Sequence, residues 1–238
     1  MSDPQILPEK PPRKRSVVRE YFELIVETAV FVFFVMTFVV QAFQIPTGSM
    51  EPTLLVGDFL LVNKLAYSNH SSAVERAFLP GRKLQRHDIV VFKYPEELSK
   101  DFVKRVIALE GETVEIKDKQ VYINDEPITE EYKVHSDSQI YKKSDFYQYD
   151  DFIRDNYGPQ VVPPGHCFVM GDNRDNSMDS RYWKFLPVDY IKGKPWLIYF
   201  SYRAEDDAYL KTSLKERMKK LVNFIPKARW NRILKKVH

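Results

Sequence analysis

The chain has 238 residues, of which 44% are hydrophobic and 29% are charged, and its formal net charge at pH 7 is +3. This length and composition predict one sizeable globular body, with or without a smaller insert, and exclude a chain that is disordered throughout. The single cysteine, Cys167, excludes an intrachain disulfide. The sequence also lacks the Cys/His spacings of zinc sites and the HExxH motif, so we expect no metal and no cofactor.

An apolar segment, residues 24–43, follows the N-terminal stretch 1–23 and carries one charge, Glu27. A helix of this length is about 30 Å long, which matches the hydrocarbon core of a bilayer. Several basic residues precede it, which predicts a cytoplasmic N-terminus and places everything after Ile45 on the other side of the membrane. A cleaved secretory signal is the alternative, although no small-x-small cleavage motif follows the apolar run. We therefore expect a single-pass transmembrane anchor.

Residues 44–202 contain short apolar runs bounded by polar or turn residues, which are typical of strands. The clearest runs are 58–62, 89–94, 102–109 and 198–202, and residues 113–123 are typical of a β-hairpin. A polar and aromatic stretch, about 115–160, indicates an inserted small subdomain. The predicted fold is mainly β, with a transmembrane helix followed by an antiparallel β-sheet domain.

The C-terminal segment 203–238 is basic, with 11 Lys or Arg against 4 Asp or Glu. Its apolar residues recur near helical spacing, so one interpretation is a solvated helix face. The other is contact with anionic lipid headgroups. We expect no nucleic-acid partner, because no recognisable nucleic-acid module accompanies the segment.

Three segments contain residues that are suited to chemistry. The first, IPTGSMEPTL, places Ser49 in an irregular backbone that begins a few residues after the apolar segment. The second, DFVKRVI, places Lys104 in an apolar strand. Burial of that amine would lower its pKa towards neutral pH and make it a usable base.

The third segment is a polar loop, GDNRDNSMDSRYW, that contains Ser177, Asp179 and Arg181. A calcium loop is one interpretation of its carboxylates, but the EF-hand spacing and central glycine are absent. Pairing of Asp179 with Arg181 or another neighbour is the other.

In this order and near these spacings, the three segments resemble the motif boxes of the bacterial type I signal (leader) peptidases. The third segment is the most specific match, and the ending RWNRI resembles the closing segment of that family. The resemblance implies a serine endopeptidase that removes signal peptides from exported pre-proteins at the outer face of the cytoplasmic (inner) membrane, with membrane lipids as further partners.

The resemblance also implies roles for individual residues. Ser49 is the expected nucleophile and Lys104 the general base. Thr47 and the Ser49 N–H are expected to form the oxyanion hole, Ser177 to orient the lysine, and Asp179 and Arg181 to support it. The expected substrate-binding residues are Phe43, Ile45, Met50, Leu54, Phe102 and Val103.

The chain departs from the family pattern at several positions. Thr47 stands where serine is frequent but keeps a hydroxyl. His87 and Lys184 stand where glycine is usual, which alters turns and surfaces but none of the expected catalytic groups.

Three alternative functions stay open at this point. His166 adjoins Cys167 and is a candidate for a Cys–His pair, although nothing local activates the thiol. The chain could instead be a membrane-tethered β binding module, or a Ser–Lys peptidase with one dedicated client.

Overall fold

The computed structural model describes residues 16–67, 82–141, 153–203 and 226–237. All of the candidate site residues lie within these ranges. Most of the expected N-terminal stretch, part of the expected insert and the central part of the basic C-terminal segment lie outside the described residues.

An apolar helix forms the N-terminal unit. Helix α1, Val17–Phe34, continues as a π-helical turn, Val35–Val39, and together they give 23 residues, none of them buried. At 1.5 Å per residue the whole helix is about 35 Å long, enough to cross a bilayer. The anchor was expected over 24–43, but residues 40–43 belong to a strand. The reason is that these residues pair with a second strand through their backbone, which a helix cannot do.

The sheets in the rest of the described residues are built from antiparallel strand pairs, so the predicted mainly β fold after an apolar helix is confirmed. The strands are β1 Val40–Gln44, β2 Asp58–Asn63, β3 Ile89–Tyr94, β4 Glu97–Ala108, β5 Thr113–Lys117, β6 Gln120–Ile123, β7 Glu126–Pro127, β8 Tyr157–Val161, β9 His166–Met170, β10 Leu186–Pro187, β11 Ile191–Ser201 and β12 Lys235–Lys236. The larger sheet has the order β1-β2-β11-β3-β4-β9-β10, with β12 paired to β11. The smaller sheet has the order β7-β6-β5-β8.

Strand alternation explains how the larger sheet acquires a core. Strand β2 alternates buried and half-buried residues along its length, as expected for a strand with one face in the core. Strand β3 is buried on both faces from Ile89 to Phe92. Its two faces contribute to different apolar clusters, with Ile89 and Val91 in one and Val90 and Phe92 in another.

The C-terminal segment 226–237 is held to the sheet by a buried carboxylate. Asp58, which is fully buried, accepts hydrogen bonds from Arg232 Nη2 at 2.5 Å and from Ser201 Oγ at 2.6 Å. Arg229 lies within ion-pair distance of the same carboxylate, at 3.6 Å. Since a buried carboxylate requires such partners, Asp58 ties the start of β2 to the end of the chain.

Two departures from the family pattern fall where the backbone is unusual. His87 has φ 72° and Lys184 has φ 71°, so both lie in the left-handed region that favours glycine. His87 gains a hydrogen-bonding contact with the Tyr132 hydroxyl at 2.8 Å. Lys184 is exposed and follows the short helix α2, Ser180–Trp183.

Candidate active site

The loop that contains Ser49 is fixed at both ends by buried residues. Ile45 is buried and donates its N–H to the Asp58 carbonyl at 2.8 Å. A short 3₁₀ helix, Gly48–Met50, follows, and Met50 is also buried. Its carbonyl accepts the Leu54 N–H at 2.9 Å. Ser49 is therefore a half-buried residue on a loop whose ends cannot move independently of the core.

Lys104 lies on β4 and reaches Ser49 from the side. Lys104 pairs with Val90 of β3 through the backbone, so it is part of the sheet. The side chain is buried, with 4% of the residue exposed, and its Nζ donates to Ser49 Oγ at 2.6 Å. This distance is short enough for direct proton transfer between the two groups.

Burial also changes the protonation of this amine. Desolvation lowers the pKa of Lys104 from its usual 10.5 to about 8, opposed by the negative charge of Asp179 and aided by the positive charge of Arg181. At pH 7 about one amine in ten is then neutral, compared with roughly one in three thousand for an ordinary lysine. The arrangement can supply a neutral amine beside a hydroxyl near neutral pH.

The polar loop 171–183 holds the nucleophile loop in place. The Asn173 N–H donates to the Ser49 carbonyl at 3.1 Å, and Asn173 Nδ2 donates to the Gly48 carbonyl at 3.2 Å. A side chain at Gly171 would come within 2.4 Å of the Ser49 carbonyl and 2.3 Å of the Ser177 hydroxyl. Glycine is therefore required at 171 because the two loops approach too closely for a Cβ atom.

A buried ion pair joins the same loop to the lysine strand. Arg105, next to Lys104, donates to both carboxylate oxygens of Asp172 at 2.9 and 2.8 Å. Asp172 also accepts the Thr53 hydroxyl at 2.6 Å. One carboxylate thus connects the strand of the base to the loop of the nucleophile. Sequence reasoning missed the roles of Arg105, Thr53 and Asn173, although all three lie inside or beside the three segments.

Asp179 and Arg181 form the pair that the sequence suggested. Asp179 is fully buried, caps α2, and accepts from Arg181 Nε at 2.9 Å and from the Gly171 N–H at 3.1 Å. Burial alone would raise the pKa of Asp179, but the charge and hydrogen bonds of Arg181, the charge of Lys104 and the Gly171 N–H together outweigh it, so this pKa lies below its usual value. Arg181 also donates to the Arg154 carbonyl at 2.6 Å. The pair fixes the loop behind Lys104 and contributes opposite charges to its surroundings.

The carboxylates of this loop are matched by cations, which disfavours the calcium-loop alternative. Asp172 pairs with Arg105 at 2.8 Å, Asp175 with Lys119 at 3.2 Å and Asp179 with Arg181 at 2.8 Å. A calcium ion would have to displace these partners to obtain its oxygen ligands.

Ser177 lies in the same loop as Asp179 and Arg181. Its side chain is buried, and among the described residues its Oγ has no hydrogen-bond partner. The expected hydrogen bond from Ser177 to Lys104 is thus absent from this structure. A buried hydroxyl without a partner is costly to the fold.

The expected oxyanion-hole groups lie beside the nucleophile. Thr47 is exposed and lines the same pocket as Ser49. Within the described part of the chain, the Ser49 N–H donates to no carbonyl. This N–H is therefore available to a ligand, as an oxyanion-hole donor must be.

A pocket of about 350 Å³ opens beside Ser49 and Lys104. Most of the expected substrate-binding residues line it, with additional polar and apolar groups at its rim. The lining residues are Phe43, Gln44, Ile45, Pro46, Thr47, Ser49, Met50, Asp101, Phe102, Val103, Lys104, Asn176 and Met178. Leu54 is the exception, because it is fully buried in the cluster beneath the loop and does not line the pocket. The expectation for Leu54 is corrected: it supports Met50 from behind.

The proposed Cys–His alternative finds no support in the geometry. Cys167 is fully buried, and burial raises the pKa of its thiol to about 12. The His166 ring contacts the Pro164 carbonyl at 2.9 Å. A thiol with a raised pKa is a poor nucleophile.

Comparisons with known proteins point to one family. Residues 18–200 match the sequence model of the family described as "Signal peptidase, peptidase S26". Signal peptidase I of Pseudomonas aeruginosa is 35% identical, over 84% of this chain and 78% of that protein. Signal peptidase I of Aquifex aeolicus is also 35% identical, over 71% of this chain and 79% of that protein. A solved signal peptidase I from Enterococcus faecalis V583 is 36% identical over 48% of this chain and 97% of that one, with a TM-score of 0.37.

Proposed function

The chain belongs to the signal peptidase family, peptidase S26, and from this premise we propose that it is a membrane-anchored serine endopeptidase in which Ser49 is the nucleophile and Lys104 the general base. Its relatives are named signal peptidase I, and the substrates we propose are the N-terminal signal peptides of exported pre-proteins. The observation that carries the assignment of the pair is the 2.6 Å contact between Ser49 Oγ and the buried amine of Lys104.

The reaction begins with proton transfer. Neutral Lys104 takes the Ser49 proton as Ser49 Oγ attacks the carbonyl carbon of the scissile peptide bond. The Ser49 N–H and the Thr47 hydroxyl stabilise the resulting oxyanion, each worth roughly 3 kcal/mol by analogy with other oxyanion holes. The protonated Lys104 then gives its proton to the leaving amine, which breaks the peptide bond and leaves an acyl-enzyme.

Hydrolysis of the acyl-enzyme repeats these steps with water. Lys104 removes a proton from the attacking water and returns it to Ser49 Oγ when the ester bond breaks. Both half-reactions therefore need the amine to be neutral at the start. The buried pair Asp179–Arg181 contributes by fixing the loop that covers the amine.

The position of Ser49 in the chain limits the substrate. Ser49 follows the end of the apolar helix, Val39, by ten positions in the chain, so the nucleophile is tethered within about 35 Å of that end. Signal peptides present a bond that follows an apolar run and small residues. Apolar walls such as Phe43 and Val103 suit small side chains before the cut.

We further propose the orientation and the membrane. The basic residues before the helix place the N-terminus in the cytoplasm and residues 44–202 outside the cytoplasmic membrane. We keep the division into a β-rich peptidase domain over 44–202, an insert of about 115–160 and a basic C-terminal segment over 203–238 as a prediction. Protease digestion of spheroplasts tests the orientation, since the β domain should be degraded from outside and protected in inverted vesicles.

A cleavage assay on a purified pre-protein tests the catalytic pair. Full-length Ser49→Ala and Lys104→Met in detergent should each lose at least about a thousandfold in kcat/KM. Ser99→Ala and Lys100→Met are matched controls on the exposed part of β4, and they should cleave like the parent. Processing by either active-site variant at the parent rate would refute the assignment.

The range of clients needs a separate measurement. After depletion of the protein, many uncleaved precursors in the proteome indicate a general peptidase, and a single accumulating precursor indicates a dedicated one.

A further inference from the structure

One charged residue of the pocket lining, Asp101, forms an ion pair with Lys192, and the proposed reaction makes no use of either residue. Asp101 lines the pocket, and its Oδ2 accepts a hydrogen bond from Lys192 Nζ at 2.7 Å. The two side chains are 26% and 27% exposed, so both remain in reach of a bound ligand. Lys192 Nζ also lies 5.8 Å from the centre of the Phe43 ring. The ion pair therefore joins the β4 side of the pocket to its β1 side.

The spacing of Asp101 and Lys104 along β4 relates the ion pair to the general base. Asp101 precedes Lys104 by three residues on β4, which corresponds to about 10 Å along the strand. An extended substrate has nearly the same rise, so this distance corresponds to roughly three substrate residues.

The chemistry of the pocket indicates which side of the cleaved bond the pair faces. Phe43, Ile45 and Val103 line the pocket together with Asp101. Signal peptides have small residues just before the cut, and these suit an apolar wall. The substrate residue near the ion pair therefore lies on the same, N-terminal side of the bond.

We propose that Asp101 and Lys192 form a charge-balanced subsite that determines which substrate side chain is accepted about three to four residues before the cleaved bond. The inference rests on the proposed function and adds a selectivity that the catalytic pair does not explain. With both partners present, the opposite charges compensate each other, and neither a basic nor an acidic substrate side chain is favoured. A large apolar side chain is disfavoured because it removes water from the pair without replacing its hydrogen bonds.

The structure also gives the consequence of breaking the pair. Among the described residues, Asp101 and Lys192 form ion pairs only with each other. Removal of Lys192 leaves a carboxylate at the pocket wall that attracts a basic substrate residue. Removal of Asp101 leaves an ammonium group that attracts an acidic one.

A peptide series on the full-length protein in detergent tests this subsite. The peptides derive from one signal-peptide cleavage region and differ at one position, scanned from two to five residues before the bond, where they carry Gln, Lys, Glu or Leu. The parent should cleave the Lys and Glu peptides within about twofold of each other and the Leu peptide more slowly. At one scanned position, Lys192→Met should favour Lys over Glu by about fivefold, and Asp101→Asn should favour Glu over Lys by about as much.

Two further variants separate selectivity from structural damage. The charge-exchanged variant Asp101→Lys with Lys192→Asp restores the pair with reversed direction, and it should return the Lys to Glu ratio to the parent value. The matched control Lys100→Met breaks the exposed Glu97–Lys100 pair on the same strand, and it should leave every ratio unchanged.

The outcomes are distinct for the two proposals. If the single variants cleave the Gln peptide but keep the parent Lys to Glu ratio at every scanned position, the subsite is refuted while the peptidase stands. If the parent cleaves no peptide, or Ser49→Ala cleaves as fast as the parent, the proposed function fails and the subsite fails with it.

Discussion

Replacing Lys104 by methionine should stabilise the fold while it abolishes cleavage. The amine is buried, and desolvation lowers its pKa from 10.5 to about 8. Below pH 8 the folded protein therefore holds a charged amine in a site that favours the neutral form. A shift of this size corresponds to about 3 kcal/mol of lost stability, at 1.36 kcal/mol per pKa unit. Methionine has a similar length and removes this cost.

The free energy of unfolding depends on pH because the folded and unfolded states bind different numbers of protons at Lys104. Between about pH 8 and 10.5 the unfolded chain binds more protons at this lysine than the folded protein, so the parent gains stability as pH rises. Below pH 8 both states are protonated and the full cost remains. The advantage of Lys104→Met should thus be about 3 kcal/mol at pH 7 and should fade as pH approaches 10.5.

Equilibrium denaturation of the full-length protein in detergent, followed by tryptophan fluorescence, measures this difference at pH 7 and pH 10. Lys100→Met is the matched control, because this lysine lies on the same strand but is largely exposed. Its effect on the free energy of unfolding should be small and should not fade over the same interval. If Lys104→Met is no more stable than the parent at pH 7, or its advantage persists unchanged at pH 10, the claim that burial lowers this pKa is refuted.

Four further predictions concern activity and stability. Cleavage by the parent, measured as kcat/KM, should rise about tenfold per pH unit below pH 8 and level off above it, since only neutral Lys104 accepts the proton; a flat profile from pH 6 to 10 contradicts lysine as base. Ser177→Ala should leave the thermal unfolding midpoint at or above that of the parent, because its buried hydroxyl has no partner among the described residues, and it should lower kcat if this hydroxyl orients Lys104 during the reaction, as the family resemblance implies; an unchanged kcat removes Ser177 from catalysis. Lys184→Gly should raise the free energy of unfolding by about 1 kcal/mol, because φ 71° favours glycine; a loss of stability in urea denaturation argues against this backbone strain. Asp58→Ala should lower the free energy of unfolding by about 3–5 kcal/mol, because Arg232 then stays buried without its ion-pair partner. A denaturation midpoint equal to that of the parent would show that this ion pair does not stabilise the fold.

The strands and the chemistry-bearing segments were accessible from sequence because their signals are local. Residues 58–62 and 89–94 were predicted as strands from short apolar runs, and both fall within strands β2 and β3. The end of the anchor was misplaced, because Val40 and Phe43 are as apolar as the helix before them. Their backbone pairing with β2 depends on residues about twenty positions later.

The role of Leu54 could not be decided from sequence either. An apolar residue near the nucleophile can line a pocket or support the loop from below, and the two differ only in which way it faces. The structure buries Leu54 completely beneath the loop, beside Met50. The partners of Asp58 could not be predicted from the sequence either, because Arg232 lies 174 residues away in the chain.

By itself, the sequence determined the apolar helix, the β-rich body and the three segments that resemble the signal peptidase motifs, because composition, alternation and motif spacing are properties of neighbouring residues. Only the tertiary structure decided that Ser49 and Lys104, 55 residues apart, lie 2.6 Å from each other and that the amine is shut away from water. Proximity and desolvation depend on how distant strands and loops pack, and no single segment of the chain contains that information.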